Sequence, residues 1–264
     1  MQSHKASLYM SPTRMMVVSP HLVADVHQHA VMQFTCSLDG SPFSVWTDSD
    51  GWQQTEGVLI DGNIAHGVKD FTGWQVTTCI IPDARKGNCV KNKVLKGQPL
   101  KYFKADEIRP VLDALQITRR QLLPDSSVFH ALTDAVYDHL IGEETFLLPL
   151  DNRIVLAIRS IRQNIRDTIS AAALAAEVHL SEPRFLHLFK EQIGAPLRQY
   201  VLWQRTAVAA EAFISGMSAK EAAYEAGFSD PAHFSRSFLQ LFGAQPSSYA
   251  AIRPFYQFAF FQDI

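Results

Sequence analysis

At 264 residues, with 47% hydrophobic residues and a formal net charge of −2, the chain is long enough for two domains with their own cores and too apolar to be disordered. No apolar run approaches the roughly 18 residues that cross a bilayer, and the N-terminus shows no signal-peptide core, so a cytoplasmic protein without a membrane partner is expected. Cys36, Cys79 and Cys89 include no Cys-x-x-Cys pair, which argues against a disulfide framework or a zinc finger and for buried, reduced thiols.

The first half alternates short β-rich runs with turn signals. Residues 15–19, 31–37, 43–47, 58–60 and 74–81 read as strands, broken by Asp39-Gly40, Asp61-Gly62 and Thr72-Gly73. This pattern predicts a small β-barrel or sandwich. Within it, His27-Gln-His29 places two imidazoles on one face of a strand, because successive side chains alternate, and His66 follows the Gly62 turn. Three imidazoles can hold zinc or another borderline metal; the alternative is that they line the barrel or touch an effector. Trp46, Trp52 and Trp74, with Phe34, Phe43 and Phe71, are candidates for an apolar effector pocket, plain core being the alternative. After about Ala105 the period changes. Ile108, Val111, Leu112 and Leu115, then Val128, Leu132, Ala135, Val136, His139 and Leu140, are spaced for two amphipathic helices separated by Pro124 and covering an open face of the barrel.

From Arg153 onward the composition turns basic. Residues 153–253 carry 11 basic and 8 acidic side chains, against 13 and 17 in residues 1–152. A helix expected from Ile154 to about Ile169 sets Arg159, Arg162 and Arg166 on one stripe, able to touch phosphates or to remain a solvated face. Beyond it one pattern is written twice. Leu174-Ala-Ala-Glu-Val-His-Leu-Ser181 and the helix around Phe185, Phe189 and Ile193 are repeated as Ala222-Ala-Tyr-Glu-Ala-Gly-Phe-Ser229 and the helix around Phe234, Phe238 and Phe242. In each second helix the apolar residues at i, i+4 and i+8 give one inward face and leave the other free. Ser181 and Asp230 suit N-caps, Pro231 the first helical position, and Gly194 and Gly243 helix ends. Gly227 suits the turn of the second copy. His179 stands at that place in the first, where it adopts positive φ less easily, so a weaker first turn is expected. The aromatic tail from Phe255 to Phe261 is too short to span a membrane and is expected to pack on one of the domains.

The doubled motif, with Gly227-Phe-Ser-Asp-Pro-Ala-His-Phe-Ser-Arg-Ser-Phe238 and Gly243-Ala-Gln-Pro246-Ser-Ser-Tyr249, resembles the AraC/XylS family of bacterial transcription regulators over roughly residues 153–250. The resemblance implies an α+β protein of two domains. Residues 1–152 would form a cupin-like β-barrel with flanking helices for effector binding and dimerisation, and residues 153–264 an all-α DNA-binding domain with helix-turn-helix motifs at about 170–194 and 219–243. It also implies that Pro183, Arg184, Leu186 and His187 of the first recognition helix, and Pro231, Ala232, Ser235 and Arg236 of the second, face base edges in successive major grooves. Where the family carries basic residues after the second motif, this chain has Leu239, Gln240 and Ala250, so fewer phosphate contacts are expected at that end.

The histidines resemble the metal set of the cupin fold, in which a glutamate follows His-x-His by four residues. Gln33 stands there instead, a weaker donor. The expected function is therefore a transcription factor controlled by a small effector held by His27, His29, Gln33, His66, Trp46 and Trp74, with promoter DNA, a second copy of itself through the second amphipathic helix, and, by resemblance, RNA polymerase as partners. No cofactor is required by this reading; zinc at the three histidines is the optional one. The rival is a cupin metalloenzyme, an oxygenase or isomerase, fused to a DNA-binding domain; it needs a positioned acid or base that the glutamine does not supply.

Overall fold

The computed structural model describes residues 6–11, 14–20, 24–80, 85–116, 126–142, 150–242, 245–248 and 256–260. The strands are β1 Ala6–Ser11, β2 Arg14–Ser19, β3 Ala24–His27, β4 Met32–Ser37, β5 Phe43–Thr47, β6 Gly51–Thr55, β7 Gly57–Ile60, β8 His66–Lys69, β9 Gln75–Ile80, β10 Leu100–Phe103 and β11 Tyr256–Phe260. They build a seven-stranded sheet in the order β10-β7-β4-β9-β2-β1-β11 and a four-stranded sheet in the order β3-β8-β5-β6. The five strands read from the sequence are all present. The others are short or carry polar residues, and β11 was not foreseen as a strand at all.

Register decides what each face of the larger sheet meets. In β4, Gln33 lies opposite Ile60 and Thr35 opposite Val58, so these side chains share the face that packs with Phe43, Val45 and Val68 of the smaller sheet. Met32, Phe34 and Cys36 alternate onto the other face. That face is covered by helices α1 Arg85–Val90, which continues into a π-helical turn over Lys91–Leu95, α2 Arg109–Gln116 and α3 Ser126–Ile141. Phe129, Leu132, Val136 and Leu140 of α3 are buried there, and Arg14 of β2 donates to the His130 carbonyl and Thr133 Oγ1 while pairing with Asp134. The stripe of α3 expected to pair with a second copy is thus occupied within the chain. Pro124 lies outside the described residues. Cys36 and Cys79 are free and buried, and burial pushes both thiols up to about 12.

The helical region comprises α4 Asn152–Gln163, α5 Ala171–Glu177, α6 Glu182–Ile193, α7 Leu197–Ile214, α8 Ala219–Glu225 and α9 Pro231–Phe242. Phe185, Phe189, Ile193, Phe234 and Phe238 are buried as the i, i+4 spacing requires, in one cluster with Tyr200, Trp203 and Ala210 of the connecting helix α7. The same cluster takes in Leu8, Met10, Met15, Val31 and Cys79, so the helical region covers the β9-β2-β1 end of the larger sheet on the side where the smaller sheet covers the other end. The tail crosses over as well: β11 pairs in parallel with β1, Ala6 opposite Tyr256 through Met10 opposite Phe260. The last strand therefore belongs to the N-terminal sheet, and a helical unit running unbroken from 153 to 264 is corrected at residues 256–260.

Local signals close the two motifs. Ser218 and Glu221 form a capping box at α8, Asp230 Oδ1 accepts from the Ala232 N–H at the start of α9, and Gly194 ends α6 at φ 93°. Ser181 stands at the N-cap of α6 without a side-chain cap bond. Gly243 and Tyr249 lie outside the described residues. His179 reaches φ 56°, so the first turn closes in the left-handed geometry despite its side chain. Helix α4 stops at Gln163, short of the expected Ile169, with Asn164 as its cap, and the following segment folds back over the second motif. Arg205 of α7 holds it, donating from Nε to the Ile165 carbonyl at 3.1 Å and from a terminal nitrogen to the Asp167 carbonyl at 2.6 Å. Beneath it Gly227 sits at φ 80°, where a Cβ would come within 2.7 Å of the Ile165 oxygen and 2.8 Å of the Arg166 oxygen.

Gly227→Ala is accordingly expected to destabilise the chain by at least about 2 kcal/mol, since the left-handed backbone alone costs a non-glycine residue roughly 1–2 kcal/mol and the clash falls on backbone atoms. Denaturant unfolding measures it. A change under about 0.5 kcal/mol would mean the 165–166 segment does not rest on the turn.

Candidate nucleic-acid interface and barrel histidine cluster

The second helix of each motif turns its polar side outward. On α6, Pro183, Arg184, Leu186 and His187 are all exposed, and Arg184 has no hydrogen bond or ion pair among the described residues. On α9, Ala232 and Arg236 are exposed while Pro231 and Ser235 are half-buried, and Ser235 Oγ donates to the Pro231 carbonyl at 3.2 Å. Arg236 lies 3.6 Å from Asp230, a solvent-exposed pair of the kind worth at most about 1 kcal/mol and easily exchanged for a better acceptor. His187 lies 4.0 Å from Glu191 one turn on.

The basic stripe before the motifs is only partly formed. Arg159 is exposed on α4, Arg162 is half-buried, and Arg166 lies beyond the helix end, paired with Glu225 of α8. Arg166 therefore leaves the common stripe because α4 ends three residues before it. Its side chain ties the folded-back segment to the second motif.

The histidines come together, although not as alternation along one strand. β3 ends at His27; His29 lies in the connection to β4, and His66 opens β8 directly opposite His27. Ring centroids stand 4.5 Å apart for His27 and His66, 5.0 Å for His29 and His66, and 5.4 Å for His27 and His29. His29 and His66 are buried and His27 half-buried. Burial lowers the His29 pKa and takes His66 down to about 3, so both rings are neutral at physiological pH. His29 Nε2 lies 3.0 Å from the Gln33 side-chain oxygen; the Gln33 amide donates to Thr35 Oγ1, itself 3.0 Å from Thr77 Oγ1. This polar chain between the sheets extends the predicted set by Thr35 and Thr77. Its signal was there to read: Gln33 and Thr35 are the polar members of an alternating strand.

The tryptophans are not part of it. Trp46 alternates with Val45 and pairs across to Trp52, itself 47% exposed, so it stands on the face of the smaller sheet turned away from the inter-sheet core. Trp74 packs with the cluster under α2 and α3, on the far side of the larger sheet. Strand parity separates Trp46 from the histidines, and the larger sheet itself stands between them and Trp74. Phe43 and Phe71 stack at 4.2 Å as core, and Phe34 packs under the helices.

Residues 174–252 match a family described as a helix-turn-helix domain. LumQ, a probable transcriptional regulator of Photobacterium leiognathi, is 25% identical over 229 residues, 84% of this chain and 90% of that protein. The arabinose operon regulatory protein of Escherichia coli K12 is 32% identical over 105 residues, 39% of this chain and 36% of that protein. Over residues 174–252 the chain is thus similar to the helix-turn-helix region of such transcriptional regulators. In fold it is similar to ToxT of Vibrio cholerae, with a TM-score of 0.52 at 13% identity over 91% of this chain and 98% of that one. A ToxT structure with an unsaturated fatty acid bound gives 0.50 at 14% identity, over 90% and 94% of the two chains. No helix among the described residues is long and apolar enough to cross a membrane.

The end of α9, where Leu239 and Gln240 stand in place of the expected basic residues, packs against the barrel. The Gln240 carbonyl accepts the backbone N–H of Ala30 at 2.7 Å, and Leu239 beside it is 38% exposed. The end of α9 therefore meets the loop that carries His29.

Proposed function

We propose that this chain is an AraC-type regulator that reads an extended promoter site by laying α6 and α9 in successive major grooves, with Arg184, Leu186, His187, Ala232, Ser235 and Arg236 as its base-contacting residues, Pro183 and Pro231 at the helix starts, and Arg159 on phosphate. One observation carries the reading: two recognition helices on one polypeptide bury their phenylalanine faces in a single core and present their other faces to solvent. Grooves on one side of a duplex recur about every 34 Å, and two helices joined by α7 read both without a second subunit. A pair of such chains on two half-sites, and contact with RNA polymerase, belong to the same proposal and rest on the resemblance to AraC-type regulators alone.

A small effector held between the two sheets controls this reading, near His29, Gln33, Thr35 and Thr77. That ToxT, a protein of this fold, has been seen with an unsaturated fatty acid bound supports a small-molecule ligand here. An effector shifts DNA binding only if its affinity differs between the two states of the protein, and the helical region shares one sheet face with the barrel, so a change there reaches it directly. Footprinting on DNA flanking the chain's own gene, with and without candidate metabolites, tests the proposal. Two protected stretches about one helical turn apart, weakening steeply with salt, are expected. No preference for any such fragment over scrambled competitor would overturn it.

A further inference from the structure

Each ring of the histidine cluster gives its Nδ1 to a backbone carbonyl: His27 to Asp25 at 2.8 Å, His29 to Val31 at 2.9 Å and His66 to Ile64 at 2.8 Å. A carbonyl only accepts, so Nδ1 carries the proton in all three. In the neutral ring Nε2 is then left with a lone pair. His66 Nε2 is buried with no hydrogen-bond partner among the described residues. His29 Nε2 faces the Gln33 oxygen, so in the orientation in which Gln33 donates to Thr35 two acceptors stand 3.0 Å apart with no proton between them. Three lone pairs and an amide oxygen repel an anion and suit a cation. Imidazoles pinned through Nδ1–H to carbonyls are the arrangement that orients metal ligands.

We infer that His27, His29 and His66 bind one divalent ion of the zinc class, with the Gln33 oxygen completing four ligands, and that filling this site changes the hold of the barrel on α9. One ring nitrogen from each histidine lies within 4.8 Å of those of the other two. Were all three at that limit, a central ion would stand about 2.8 Å from each, so side-chain shifts of under about 1 Å bring them to the zinc–imidazole distance of about 2.0–2.1 Å. The 3.0 Å between His29 Nε2 and the Gln33 oxygen is already close to the roughly 3.3 Å between two ligands of a tetrahedral ion.

The link to α9 is short. His29 is followed by Ala30, whose N–H bonds to Gln240, and by Val31, which lies in the core shared with the helical region. The Asn63 N–H holds the His29 carbonyl at 2.7 Å, and Gly62 lies so close to the Ala30 oxygen that a Cβ there would come within 2.2 Å. A metal that draws the His29 ring inward therefore pulls on a loop whose next residue holds the end of α9 through the Ala30–Gln240 contact. The metal site stands apart from the reading of α6 and α9 as DNA contacts; the effect on promoter affinity rests on it.

The test uses the full chain stripped with chelator and titrated with Co²⁺, then Zn²⁺, followed by equilibrium dialysis. One ion per chain, with visible cobalt absorption that zinc abolishes, is expected. His66→Ala, and His27→Ala at the half-exposed position where folding is not at stake, should weaken binding at least about 10-fold, the low end of what losing even an outer-sphere partner does to such sites. Substoichiometric binding, or wild-type affinity in folded His27→Ala, overturns the site. Hydrogen exchange reads the coupling without DNA. Loading should change protection at the Ala30 amide and along the end of α9, and unchanged exchange there in metal-bound protein overturns the coupling. Failure to bind promoter would bear on the DNA-reading proposal alone.

Discussion

Replacing Phe238 by alanine is expected to cost about 3–5 kcal/mol and to unfold the second helix-turn-helix motif. The side chain is 1% exposed and stands edge-on to Phe234 at 5.7 Å, with Phe234 in turn 5.7 Å from Phe228. Removing it deletes one of three successive aromatic rings that join the turn of the motif to its second helix, and α8 and α9 are too short to hold their shape without that packing. The loss does not stay local, since this core also includes Leu8, Met10, Met15 and Val31 of the sheet. A domain is stable by only about 5–15 kcal/mol, so the variant should melt roughly 10 °C or more below the parent and lose DNA binding with its helical signal. Phe238→Leu, which keeps most of the volume, should recover much of the difference. If Phe238→Ala melts within about 2 °C of the parent, the phenylalanine face is not the core of the motif.

The helix-turn-helix pair was legible because everything that specifies it is local. Phenylalanines four residues apart, a serine or aspartate before each helix and a glycine at the turn all act within a dozen residues. The end of α4 was misread because nothing in its own sequence stops it at Gln163; the contacts that pull the next segment away come from Arg205, some forty residues on. Strand β11 is the extreme case. Its partner β1 lies at the other end of the chain, and a pairing across that separation leaves no local pattern. In the barrel, the three histidines were found as a set for a reason only partly right: His29 is not on the strand that carries His27, and the rings meet because the loop after β3 turns back toward β8. Trp46 and Trp74 were misplaced for a related reason. Which face of a strand points inward depends on where the partner sheet lies, and residue type alone does not say.

Arg236→Ala should lower affinity for the cognate site about 5- to 150-fold, the equivalent of the roughly 1–3 kcal/mol that a bidentate arginine–guanine contact discriminates. The side chain is 69% exposed and its one ion pair among the described residues is with Asp230, so stability should change by less than about 0.5 kcal/mol. Affinity loss alone would not separate a base contact from a phosphate contact, since either removes one cation from the interface. The two differ in what else changes. Loss of a base contact relaxes preference at one base pair and leaves other positions alone, whereas loss of a phosphate contact weakens all sequences alike and lowers the salt slope by about 1. Arg159→Ala, on exposed α4, supplies the second behaviour in the same protein. Binding measured over a series of salt concentrations and single-base variants of the footprinted site should therefore show Arg236→Ala indifferent to sequence at one position and Arg159→Ala uniformly weaker. Should Arg236→Ala instead keep full discrimination at every position while its salt slope falls, the guanidinium lies on the backbone of the duplex, and α9 reads bases through Ala232 and Ser235 alone.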